Sequence, residues 1–190
     1  EEQPVLTVSK HCENGLETLG GECTRLRRTG SRKQGFIEIL AGTAQATKTA
    51  TELGYPVQEP IELYEDPIKR RGPRAEHDVT LPEVQRRLIE LAYDPKGPTI
   101  WLMAPLCQSF SNWNKINGGT RSVDKPEGDA NKRTESKTRG NTIAKFIAKL
   151  FEALLKVGKV PIVENSSKSG RAGFDYILIW HTKWWRGVLE

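Results

Sequence analysis

Short apolar runs alternate along this chain with stretches of helical period, and each run closes in a glycine, a proline or a polar cluster. Phe36-Ile37-Glu38-Ile39-Leu40-Ala41, bounded by Gly35 and Gly42, reads as a first buried strand. Thr43 is placed to cap a helix running to Leu53, with Gly54 as its stop. Tyr55 to Leu63 predicts a second strand, which Pro60 assigns to an irregular or edge position. Residues 65–76 predict a charged loop. Thr80-Leu81-Pro82-Glu83 has the form of a capping box with a proline in the first turn. The helix after it aligns Val84, Leu88 and Leu91 on one face and ends near Asp94-Pro95-Lys96-Gly97.

The run from Thr99 to Met103 has the composition of a central parallel strand, and it stops at Ala104-Pro105-Leu106-Cys107. Residues 112–140 are rich in glycine, lysine and serine and predict a long polar loop. Asn141 to Val157 then carries the strongest helical pattern. Ile143, Phe146, Ile147, Leu150, Phe151, Leu154 and Leu155 recur at three-and-four spacing, and Gly158 closes the segment. Val160 to Val163 and Phe174 to Trp180 predict two further strands, and Trp184, Trp185 and Arg186 lie close to the end. The order β-α-β-α-β-α-β predicts an α/β fold: a mostly parallel sheet with helices on both faces over 36–190, preceded by an extension over 1–35.

Composition narrows the setting. Hydrophobic content of 36% and charged content of 28% suit one globular core. No apolar run approaches the ~20 residues that cross a bilayer, so no membrane partner is expected. Cys12, Cys23 and Cys107 are odd in number, widely spaced and without CxxC pairing, which predicts reduced thiols, no structural metal and an intracellular setting, nucleus or organelle unresolved. The net charge is +5, and the cations cluster at Arg25–Lys33, Lys69–Arg74 and Lys132–Arg139. Clusters of this kind suit a polyanion, DNA or RNA, because each phosphate neutralised releases counterions.

Candidate chemistry converges on strand ends. In open α/β sheets ligands bind beyond the carboxyl ends of the strands. Gly42, Cys107 and Glu164 each follow a predicted strand. Five segments here resemble, in order, motifs of the cytosine-C5 DNA methyltransferases. Phe36 to Gly42 is similar to that family's first motif, a strand running into a glycine turn. Glu62, with Glu59 as the alternative, stands where an acid binds ribose hydroxyls. Asp78-Val79 resembles the pair that meets adenine. Pro105-Leu106-Cys107-Gln108-Ser109-Phe110-Ser111 is similar to the family's cysteine loop, and Val163-Glu164-Asn165 to its Glu-Asn-Val motif.

The resemblance implies a Rossmann-like sheet that binds S-adenosylmethionine through Leu40, Ala41, Gly42, Thr43, Glu62, Asp78, Val79 and Pro105. It also implies catalysis by Cys107 and Glu164. Cytosine C5 is a poor nucleophile until a thiolate adds to C6, which is Cys107's implied task. Glu164 would hydrogen-bond the N3/N4 edge, Asn165 would orient the loop, and the base would have to leave its stack. The family's Gly-x-Gly-Gly turn is here Gly42-Thr43-Ala44-Gln45, and no target-recognition domain follows. A second expectation therefore stands beside the enzyme: a degenerate methyltransferase fold that binds nucleic acid within a larger assembly, using its basic loops and the Trp184-Trp185-Arg186 end.

Overall fold

A computed structural model describes residues 35–105, 110, 119–122, 124–132, 134–165 and 178–189. The expectations for residues 1–34, for the cysteines and for the strand over residues 174–177 lie outside these.

The fold is α/β, built among the described residues on a three-stranded parallel sheet. Strand β1 (Phe36–Ile39) pairs with β4 (Ile100–Met103), which pairs in turn with β5 (Val160–Val163). Ile37 faces Trp101, and Trp101 faces Pro161. β4 is central, as its apolar composition predicts. Among the described residues β5 is the edge strand on the far side from β1. The N–H groups of Val160 and Glu164 point toward β4, onto the carbonyls of Thr99 and Met103. Pro161 is in the alternate position facing outward, where its missing N–H costs no ladder bond.

Tyr55 to Leu63 does not form a regular strand. It runs parallel beside β1 and pairs with it in isolated bridges, Val57 opposite Phe36 and Ile61 opposite Ile39. Four residues of β1 (Phe36–Ile39) are matched there by five of the neighbour (Val57–Ile61), an extra residue accommodated around Pro60. The predicted irregular edge is what forms.

Helix α1 (Gln45–Glu52) lies over one face of β1, and α2 (Pro82–Tyr93) and α3 (Glu135–Lys156) pack on the other. Side chains on a strand alternate faces. Ile37, Ile39, Trp101 and Met103 therefore share one face, and they form a core with Val84, Leu88, Ala92, Ile143, Ile147, Leu150 and Leu154. The opposite face carries Phe36, Ile100, Val160 and Ile162. There β5 leaves Val160 and Ile162 about half exposed (45% and 46%).

Both predicted glycine stops hold. Gly54 (φ 73°) and Gly158 (φ 69°) take left-handed conformations after α1 and α3. The N–H groups of Gly54 and Tyr55 bond the carbonyls of Thr51 and Ala50, and those of Gly158 and Lys159 bond Leu155 and Leu154. The end of α2 is closed from a distance. Lys159 Nζ donates to the carbonyls of Leu91 (3.2 Å) and Asp94 (2.7 Å), and burial lowers its pKa although Asp94 opposes the shift. Gly97 sits so near those carbonyls that a Cβ would lie 2.6 Å from the Leu91 oxygen.

Helix starts depart from expectation. Thr43 does not cap α1; the capping position is Ala44, with no side-chain bond of its own. The Thr80 capping box does not form either. Leu81 holds the cap position, Pro82 begins the helix, and the Thr80 hydroxyl turns back to donate to Asp78 Oδ1 (2.7 Å). Helix α3 begins six residues before the predicted Asn141. Thr134 caps it by accepting from the Lys137 N–H (3.2 Å). Its first two turns are polar, so the apolar stripe is silent there.

The segment over 65–76 is also more ordered than a charged loop. It holds an antiparallel hairpin, β2 (Tyr64–Asp66) with β3 (Arg71–Pro73), and a single 3-10 turn, Ala75–His77. Near the end of the chain, Ile179–His181 is a 3-10 turn rather than part of a strand, and α4 (Lys183–Leu189) follows. Trp185 is fully buried, edge-on to Phe151 and Trp180 at centroid distances of 5.3 and 4.9 Å. It is a core residue rather than a surface for nucleic acid. No helix among the described residues is long and apolar enough to cross a membrane.

Candidate functional site

Because β1, β4 and β5 are parallel, the segments that follow them, 40–44, 104–105 and 164–165, share one edge of the sheet. The turn after β1 is the most unusual backbone there. Leu40 (φ 60°), Gly42 (φ 53°) and Ala44 (φ 53°) all take left-handed conformations within five residues. Such a conformation costs a non-glycine residue about 1–2 kcal/mol, and strain of this kind clusters at functional sites. The turn is held by its neighbour. The N–H groups of Leu40 and Ala41 both bond the Ile61 carbonyl (2.7 and 3.2 Å), and the Ala44 N–H closes onto the Ala41 carbonyl (2.8 Å).

Glu62 reaches the same turn. Its Oε2 accepts from the Gly42 N–H at 2.9 Å, and its Oε1 lies 3.4 Å from the Tyr64 N–H. A Cβ built on Gly42 would meet nothing within 4 Å, so the turn is open on that side. Glu59 is engaged elsewhere. Its Oε1 pairs with Arg74 Nη2 at 2.5 Å, and the Arg74 hydrogen bond lowers its pKa. Of the two acids the sequence offers for a ribose, Glu62 is the one brought to the glycine turn.

A buried histidine fixes this acid's backbone. Arg74 Nη2 lies 3.1 Å from His77 Nε2, and a guanidinium only donates. Nε2 therefore accepts, and Nδ1 faces the Glu62 backbone, 3.2 Å from its carbonyl and 3.4 Å from its N–H. Sequence reasoning missed Arg74 and His77 as parts of the site. The signal available was a lone histidine directly before the Asp78-Val79 pair.

The remaining candidates are dispersed. Leu40 packs against the core, and Ala41 is buried. Thr43 is exposed, and its carbonyl and hydroxyl each lie 3.4 Å from Gln45 Nε2. Asp78 Oδ1 accepts from the Thr80 N–H (3.0 Å), the Thr80 hydroxyl and Arg139 Nη2 (3.3 Å), which ties the entry of α2 to α3. Val79 is in the core. Pro105 is buried directly after β4, and Cys107 beyond it lies outside the described residues. Glu164 is exposed at the end of β5, its N–H bonded to the Met103 carbonyl (2.9 Å).

The basic clusters divide as well. Lys137 is buried and serves the loop before α3, where Nζ donates to the carbonyls of Asp129 and Lys132 and lies 3.5 Å from the Thr120 hydroxyl. Arg121, also buried, donates to the Pro126 carbonyl (2.5 Å) and stacks 3.9 Å over the Phe110 ring. Lys69, Arg70 and Arg71 are exposed on the β2–β3 hairpin. The described part of the 112–140 segment is thus organised around interior cations rather than left as a plain polar loop. No family model matches the chain, and no curated protein and no solved structure matches it either.

Proposed function

We propose that the chain is an S-adenosylmethionine-dependent, cytosine-C5-like nucleic-acid methyltransferase domain on a Rossmann-like sheet. The observation that carries this reading is the Gly42–Glu62 hydrogen bond at the end of β1. An open glycine turn with a strand-end acid beside it suits a nucleoside cofactor, the backbone approaching closely and the carboxylate taking ribose hydroxyls. The left-handed Ala44 supports it too, because it stands where the family's turn has a glycine. Leu40, Ala41, Gly42, Thr43 and Glu62 would hold the cofactor, with Asp78, Val79 and Pro105 beside them. When bound, that group supplies an electrophilic methyl.

The chain's own residues do the rest. The Cys107 thiolate forms a bond to cytosine C6, which makes C5 nucleophilic. Glu164 hydrogen-bonds the N3/N4 edge and favours that addition. After C5 has gained its methyl, loss of the C5 proton to a base expels the thiolate and restores the ring.

A second reading is favoured by one specific observation. The Asp78 carboxylate is already engaged by Thr80 and Arg139. A degenerate methyltransferase fold acting as a nucleic-acid-binding subunit of a larger assembly needs no free acid there.

Calorimetric titration with S-adenosylmethionine separates the two. The enzyme reading expects micromolar binding, weakened about tenfold or more by Glu62→Gln, and methyl transfer abolished by Cys107→Ser with cofactor binding retained. Absence of binding at millimolar cofactor overturns it in favour of the binding subunit.

A further inference from the structure

The β2–β3 hairpin leaves the sheet directly after Glu62, and its base is tied to the candidate cofactor edge. The Arg74 N–H bonds the Leu63 carbonyl (2.6 Å), and the Arg74 side chain pairs with Glu59. His77 anchors the Glu62 backbone. The tip is compact: Asp66 Oδ1 accepts from the Lys69 N–H (3.0 Å), and Arg70 turns the chain at φ 52°. On β3, Gly72 (φ 64°) lies so close to Glu65 that a Cβ would come within 2.7 Å of its carboxylate. The hairpin is therefore a short, braced element with its base fixed and its tip in solvent.

The tip presents a specific chemistry. Ile68 is 79% exposed, more than any other large apolar side chain among the described residues. Lys69, Arg70 and Arg71 follow it and are all exposed. Glu65 and Asp66 are the acids nearby, and Asp66 is occupied by the turn. A lone exposed isoleucine is ordinary, but one on a hairpin tip beside three cations matches how proteins open a stacked helix. Cations hold phosphates while an apolar wedge enters a base step and partly unstacks it.

We propose that the β2–β3 hairpin is a nucleic-acid wedge: Lys69 and Arg71 grip backbone phosphates, and Ile68 inserts between bases of a duplex. The proposal rests on the nucleic-acid reading above and deepens it. A reaction on a base within a duplex needs that base unstacked, and unstacking costs a few kcal/mol that a wedge at the cofactor edge offsets.

The test uses the full chain with a DNA duplex and an RNA duplex of the same sequence, each carrying a fluorescent adenine analogue that brightens on unstacking. The salt dependence of affinity is measured by anisotropy. Lys69→Gln with Arg71→Gln is expected to reduce the slope of log affinity against log salt by about two. Ile68→Ser is expected to leave that slope unchanged and abolish the brightening. All these side chains are exposed, so the variants should fold and bind S-adenosylmethionine as the parent does. The duplex that brightens identifies the nucleic acid. If the parent binds and brightens a duplex but the variants behave identically to it, the hairpin proposal falls and the nucleic-acid reading survives. If the parent binds neither duplex, both fall.

Discussion

The carboxylate of Glu38, in the middle of β1, caps helix α1 through Thr47. Its Oε2 accepts from the Thr47 N–H at 2.8 Å and from the Thr47 hydroxyl at 2.7 Å, both in the interior. Thr47 is the third residue of α1, so its N–H is one of the donors a helix start leaves without an internal partner. A carboxylate there also meets the positive end of the helix dipole. Glu38 thus ties the start of α1 to the sheet.

Replacing Glu38 removes two charge-assisted bonds and strands a buried donor. Glu38→Ala is expected to cost about 2–3 kcal/mol in denaturant unfolding. Glu38→Gln keeps an acceptor and is expected to cost about half as much. Equal losses for the two variants would mean that the cap contributes nothing beyond packing.

Ala44 gives a prediction of the opposite sign. Its φ of 53° is a conformation that glycine adopts without strain. Ala44→Gly relieves about 1–2 kcal/mol of strain and gives back up to about 1 kcal/mol through greater freedom of the unfolded chain. A net gain of about 0.5–1 kcal/mol is expected, visible as a Tm rise of about 1–4 °C. The same change places a glycine where the cytosine-C5 methyltransferases have one, so under the proposed function S-adenosylmethionine affinity should hold or improve. A clear loss of stability would show that the Ala44 methyl makes contacts worth more than the strain.

The sequence is most informative where local chemistry decides the structure. The strand from Ile100 to Met103 and the stripe from Ile143 to Leu154 are legible because burial imposes a period on them. Gly54 and Gly158 are legible because a left-handed turn demands little else. The cap of α1 is not, since its acceptor lies nine residues upstream in a strand. A glutamate between Ile37 and Ile39 was the available sign. The Gly42–Glu62 contact is readable in outline because both residues end neighbouring extended segments. The choice of Glu62 over Glu59 depends on Arg74, whose partner no local pattern names. The loop before α3 defeats composition for a different reason: Lys137 and Arg121 count as polar, yet their stems and charged ends lie inside.

Lys137 can be tested through that loop. Its ammonium draws the carbonyls of Asp129 and Lys132 together, and Gly128 (φ 82°) approaches its stem so closely that a Cβ would sit 2.6 Å from Cδ. Lys137→Met keeps the stem and deletes the donor, leaving those carbonyls without it. A loss of about 2–3 kcal/mol is expected, with faster proteolysis within residues 119–132. Gly128→Ala should reproduce the proteolytic effect. Unchanged cleavage in both variants would show that the loop does not depend on the buried cation.

Arg121 makes a prediction about pH. Burial lowers its pKa to about 10, while Glu127 opposes the shift. The folded state therefore holds its proton less tightly than the unfolded chain, and the burial penalty is fully present at every pH below about 10. Above about pH 10 the unfolded state binds more protons, so stability from this group rises with pH there. Arg121→Met removes the titration but keeps an apolar partner for Phe110. The difference in unfolding free energy between parent and Met variant should be flat from pH 6 to pH 9. It should then shift in the parent's favour above about pH 10, because the lysines and tyrosines titrating there are common to both proteins and largely cancel. A slope between pH 6 and pH 9, or a shift against the parent above pH 10, would show that Arg121 is not the buried cation around which this segment folds.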